Sequence, residues 1–261
     1  MSIIASCIIA FSMYSRIPMP RCEWNEKNMR YTLCFFPLVG LIIAALCFAW
    51  LLLCARVSLP PFVKASGVFL IPLTVTGGIH ADGFMDTSDA CSSFQSAEKR
   101  REILKDPHIG AFSVIRFGML TVFVLAAASL IPLPADKLLA RRTLCWALSF
   151  VTARVLSGLS VVLFQSAKRE GTLFTFSSRS AKRQCVALLT LELLLTNGLA
   201  LFLSVSVALT MLFGALLVFL WYRIMSYRSF GGITGDIAGW FVCVCEATAT
   251  GAYAALCFIG A

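Results

Sequence analysis

Apolar runs of roughly 20 residues recur from one end of the chain to the other, the length a helix needs to cross a bilayer core. Ile3 to Tyr14 is short for a span and reads as a re-entrant or partly buried helix. Tyr31 to Cys54 is a clear span, Ser58-Leu59-Pro60-Pro61 turns the chain, and Val63 to Thr76 returns with Pro72 inside it. A polar segment, SAEKRREILKD, predicts an amphipathic surface helix capped by Ser96. Ala111 to Ile131, closed by Pro132 and Pro134, and Leu138 to Phe164 are the next spans. The basic stretch SAKREGTLFTFSSRSAKRQ reads as a loop. Cys185 to Trp221 is too long for one helix, and Asn197-Gly198 is the expected turn between two. A loop, YRSFGGITGD, precedes the last span, Ile237 to about Ile259. The pattern predicts an all-α, polytopic membrane bundle of about 7–8 transmembrane segments. It forms a single membrane-embedded domain over 1–261, with no soluble domain, internal repeat or low-complexity tract.

Composition agrees: 59% of residues are apolar and 13% charged. The net charge of +9 comes with no nucleic-acid-binding signature and fits basic loops facing anionic headgroups. Alternating the loops places 15 of the 22 Lys and Arg on the side of segments 14–30, 79–110, 165–184 and 222–236, and 5 on the other. Arg116 and Arg154 remain in the membrane. The positive-inside rule therefore predicts a cell (inner) membrane protein with its polar motif loops on the cytoplasmic face. The start, MSIIASCIIAFSMY, has no basic n-region or cleavage site and is expected to be retained. The 11 cysteines include no CxxC pair and read as buried apolar thiols.

Against this background one stretch stands out, Gly77 to Ala90, GGIHADGFMDTSDA. It holds three of the six aspartates in the chain (Asp82, Asp86, Asp89) and one of its two histidines, His80. On a helix the three carboxylates fall within roughly 60° of one another. Oxygen-only ligands on one face suit Mg²⁺ or Mn²⁺; the bland alternative is a solvated acidic loop. Gly77, Gly78 and Gly83 permit close approach of backbone or substrate. His80 points off the aspartate face and is a general base, a phosphate donor or a packing residue. A second polar island, LKDPHIGAF, carries Asp106 and His108, which either cap the following helix or reach the same site. A third, GGITGD, places glycines before a helix start, where free N–H groups cradle phosphate. Asp236 there is an N-cap or a further metal ligand. Arg154 and Glu192 lie inside apolar runs, either as an internal pair that specifies helix packing or, for Arg154, as an anion-binding group in a substrate cavity. Glu246, ten residues past Asp236, is a similar internal acid and reads as structural.

GGIHADGFMDTSDA, LKDPHIGAF and GGITGDIAG, in this order, resemble the three hallmark motifs of the cobalamin synthase (adenosylcobinamide-GDP ribazoletransferase) family. SRIPMP and YTLCFFPLVG resemble its N-terminal segment, so the likeness runs from about Arg16 to Glu246. Ser113 stands where the family often has Gly, and Ala238 and Trp240 replace the usual Leu and Ala, while every motif aspartate is in place. The resemblance implies condensation of adenosylcobinamide-GDP with α-ribazole or its 5′-phosphate, giving adenosylcobalamin or its phosphate and GMP, with Mg²⁺ required. For that reaction the residues themselves suggest Asp82, Asp86 and Asp236 on the metal, and His80, Asp89 and Asp106 as catalytic groups, with the proton going to Asp89 or His80. Gly231, Gly232, Thr234, Gly235, Arg16 and Arg154 would hold phosphate. A homo-oligomer or contact with other cobalamin-assembly enzymes is left open. The rival enzyme reading, a membrane CDP-alcohol phosphotransferase, needs an Ala-Arg pair after Asp-Gly, where this chain reads FMDTSD. An ion-coupled transporter with glycine-broken helices is the alternative of a different class.

Overall fold

The computed structural model describes residues 2–167 and 171–260. Its described residues form thirteen helices and no strand: α1 (Ser2–Tyr14), α2 (Glu26–Met29), α3 (Thr32–Val57), α4 (Pro61–Thr76), α5 (Ile79–Ser92), α6 (Ala97–Ile103), α7 (Ala111–Leu130), α8 (Lys137–Ala147), α9 (Ser149–Leu163), α10 (Thr172–Arg179), α11 (Lys182–Leu203), α12 (Val205–Phe230) and α13 (Gly235–Ile259). Six stretches are long and apolar enough to cross a membrane, α8 and α9 counting as one, and α4 with α5 forms a pair bent by 96°. The polytopic bundle expected from the apolar runs is therefore present.

At its centre stands α9, buried from Ser149 through Val162. Small residues make this possible: Ala153, Ser157, Gly158 and Ser160 let neighbouring helices approach closely without an exposed polar backbone. Opposite the motif-bearing end, Lys64 Nζ of α4 donates to the carbonyls of Ser129 (3.0 Å) and Ile131 at the end of α7. A buried ammonium there satisfies the carbonyls that a helix terminus leaves open.

Three boundaries differ from the sequence expectation. Asn197 and Gly198 lie inside α11, where Asn197 Nδ2 donates to the Leu193 carbonyl (2.9 Å), and the chain turns at Ser204, which is extended (φ −163°). Turning there gives two helices that each match the bilayer thickness, which a turn at Asn197 would not. The stretch YRSF is helical to Phe230, so the last loop shrinks to 231–234. The basic stretch after α9 contains α10, whose Phe176 is buried.

The bend after α4 is made by two glycines in the left-handed region, Gly77 (φ 65°) and Gly78 (φ 83°), which close α4 and open α5. After this bend α5 lies across the bundle. Near its start it touches α13, and near its end the Cys91 sulfur lies 4.0 Å from Met225 of α12. At 14 residues α5, which carries the aspartates, is too short to cross a bilayer by itself.

Candidate functional site

Helical periodicity puts Asp82, Asp86 and Asp89 on α5 as the spacing predicts. Asp236 joins them from the first turn of α13. Burial, then the charges of Asp82, Asp236 and Asp89, push the Asp86 carboxyl up to about 6. Four carboxylates thus share one field, although among the described residues no three His, Cys, Asp or Glu side chains stand in metal-ligating geometry.

Glycines set how closely the motifs meet. A Cβ on Gly83 would stand 2.6 Å from the Asp236 carbonyl oxygen and 2.8 Å from its Cα, so the first and third motifs touch backbone to backbone. Gly110, the N-cap residue of α7, sits so close to Asp89 that a Cβ there would overlap the carboxylate. This joins the first motif to the second. Arg16, whose N–H donates to the Val75 carbonyl (2.8 Å), lays its side chain against Gly77.

A cavity of about 170 Å³ opens beside the cluster. Asp82, Asp236, Gly235 and His80 line it together with Tyr14, Phe36, Leu173 and Phe176. Phe36 lies 5.7 Å from the His80 ring, centroid to centroid. Burial, then the positive charge of Arg154, push His80 down to about 3, so the imidazole is neutral. The aromatic wall was missed in the sequence; the Leu173/Phe176 spacing of three inside a basic stretch is the signal that marks α10 as one-sided.

Several predicted residues hold other positions. Thr234 is the N-cap of α13, its hydroxyl accepting from the Ile237 N–H (3.3 Å), so the cap is not Asp236. The N–H groups of Gly231, Gly232 and Ile233 donate to the carbonyls of Tyr227, Ser226 and Gln165. Their loop is thereby engaged within the protein, and the exposed Gly235 at the start of α13 is what reaches the cavity. Arg154 is fully buried and donates to Glu246 (2.6 Å), beneath the cavity wall and with Phe36 under its guanidinium (5.9 Å). Of its two readings the structure shows the internal pair, with Glu246 as the partner and not Glu192. Asp106 accepts from the His108 N–H (3.0 Å) and contacts its Nδ1 (2.7 Å), is exposed, and does not line the cavity.

Fold and site together define an integral-membrane helical protein with a carboxylate-walled, glycine-knit cavity at one end of its bundle. The chain belongs to the cobalamin-5-phosphate synthase family, whose model matches residues 6–254. It is 41% identical over 238 residues, 91% of this chain and 88% of the relative, to the adenosylcobinamide-GDP ribazoletransferase of Lachnoclostridium phytofermentans. Proteins of the same name from Clostridium perfringens (28% over 240 residues, 92% of this chain and 93% of the relative) and Geobacillus kaustophilus (30% over 244 residues, 89% and 88%) are also similar. No solved structure matches.

Proposed function

We propose that this protein is an adenosylcobinamide-GDP ribazoletransferase, joining adenosylcobinamide-GDP to α-ribazole or its 5′-phosphate and releasing GMP. The observation that carries the reading is the cavity lined both by Asp82 and Asp236, from two different motifs, and by the aromatic rings of Tyr14, Phe36 and Phe176. The carboxylates suit a metal-bound diphosphate and the rings a planar base.

The attacking ribose hydroxyl forms a bond to the phosphorus next to the cobinamide, the bridging P–O bond breaks, and GMP leaves with the bridging oxygen, its phosphate taking up the proton that the hydroxyl gives up. Asp82, Asp86 and Asp236 would hold Mg²⁺, which neutralises diphosphate charge when bound. The donor set fits: Mg²⁺ characteristically takes one or two carboxylates together with substrate phosphates, so no complete protein cage is needed. Gly235 at the α13 start offers backbone N–H to a phosphate oxygen, and Arg16 beside Gly77 is the nearby cation. His80, neutral and in the cavity wall, accepts the hydrogen bond of the attacking hydroxyl and orients it. A dissociative phosphoryl transfer asks mainly for such positioning. Asp89, held against Gly110, fixes α5 to α7. The basic loops favour a cytoplasmic orientation of this face in the inner membrane.

The test is product analysis in reconstituted protein. GMP release that depends on both adenosylcobinamide-GDP and ribazole is expected; CMP release from a CDP-alcohol would overturn the assignment.

A further inference from the structure

Away from the catalytic cavity, Lys27, Arg30 and Arg179 line a surface hollow of about 500 Å³, with Glu26 its one acidic residue. None of the three basic side chains forms an ion pair among the described residues. The hollow lies where two spans begin, α3 at Thr32 and α11 at Lys182, and the Ala181 N–H donating to the Arg30 carbonyl (3.0 Å) holds those starts together. An apolar groove of about 420 Å³ adjoins it, lined by Ile3, Cys34, Phe35, Ala187 and Leu188. Tyr31 lines both. A basic hollow at the membrane end of two helices, continuing into an apolar groove between them, has the two-part chemistry of an anionic amphiphile.

We propose that this is a binding site for one anionic phospholipid, its headgroup phosphate on Arg30, Lys27 and Arg179 and an acyl chain along the groove between α3 and α11. Charge complementarity selects the anionic headgroup: three cations face one carboxylate. The site is also linked to the catalytic cavity through α10. Arg179 is the last residue of α10, and its Nη1 donates to the Trp24 carbonyl (3.2 Å). Phe176 lies three residues earlier on the same helix and walls the cavity. A lipid held by Arg179 therefore fixes the helix that closes the substrate cavity. This link to turnover rests on the function proposed above.

The experiment is native mass spectrometry of the full-length protein released from vesicles of phosphatidylglycerol mixed with phosphatidylcholine. One phosphatidylglycerol retained with about tenfold preference, and loss of that preference in Arg30→Gln/Arg179→Gln but not in Arg223→Gln, a cation of α12 that does not line the hollow, is expected. Equal retention of both lipids, or full displacement by inorganic phosphate, would overturn the site. In the wild-type protein, a phosphatidylglycerol with a photoreactive acyl chain should label 31–35 and 184–188; labelling only elsewhere would contradict the proposal whatever the variants do. GMP release is expected to be faster in phosphatidylglycerol than in phosphatidylcholine vesicles. Lipid retention without turnover in any vesicle would overturn the proposed activity and leave the lipid site standing.

Discussion

Gly83 of α5 rests on the backbone of Asp236 at the start of α13, with no room between them for a methyl group. The contact brings Asp82 and Asp236 to the mouth of one cavity. The backbone of Asp236 is fixed by its helix, so an added Cβ must push α5 away. Gly83→Ala is expected to cost about 1–3 kcal/mol of stability through overpacking. It is also expected to lower kcat/KM about 100-fold, because the two carboxylates separate. Thermal melts and GMP release in the same preparation check both.

Asp86 predicts a pH-dependent stability. Its folded pKa, about 6, lies above the usual aspartate value near 3.9, so the native state binds its proton more tightly than the unfolded chain does. In metal-free protein this contribution is full below about pH 4 and is lost as pH rises through about 6. The wild type should therefore melt at a lower temperature at pH 7.5 than at pH 5, and Asp86→Asn should remove much of that difference. Mg²⁺ should raise the wild-type melting temperature at pH 7.5 more than that of the variant.

Arg154 and Glu246 form a buried ion pair whose two members belong to α9 and α13. Removing one leaves an uncompensated charge inside the bundle. Glu246→Ala is expected to cost about 3–5 kcal/mol, and Arg154→Met/Glu246→Met to recover most of it. Denaturation in detergent reads this difference.

Because burial holds His80 neutral, no histidine ionisation near pH 6.5 should appear in kcat. His80→Ala should lower kcat roughly 100-fold with little change in KM. An inflection near 6.5 that disappears in His80→Asn would show a charged imidazole at work.

Much of this fold is legible in the sequence because membrane spans announce themselves by length and apolarity. The aspartate face of α5 follows from spacing alone. Tertiary relationships are not legible in the same way. Gly83 reads as a point of close approach and Gly110 carries no signal of its own, and only the fold shows that they admit Asp236 and Asp89. Glu246 and Glu192 look equivalent in an apolar run, and only packing shows which one meets Arg154. The break at Ser204 carries a weaker turn signal than Asn197-Gly198, yet bilayer thickness decides against the stronger signal. The glycine loop reads as a phosphate cradle, but its N–H groups at 231–233 are engaged by carbonyls that sequence alone does not place.

The central claim is that Asp82 and Asp236 act together on a metal-bound diphosphate. Its most direct measurement is the Mg²⁺ dependence of single-turnover GMP release by purified, membrane-reconstituted protein, comparing wild type with Asp82→Ala. The account predicts that wild-type release stops on chelation and returns with Mg²⁺. In the variant, release should fall at least about 1,000-fold and not be restored by added Mg²⁺. Wild-type turnover by Asp82→Ala with Mg²⁺ would contradict it.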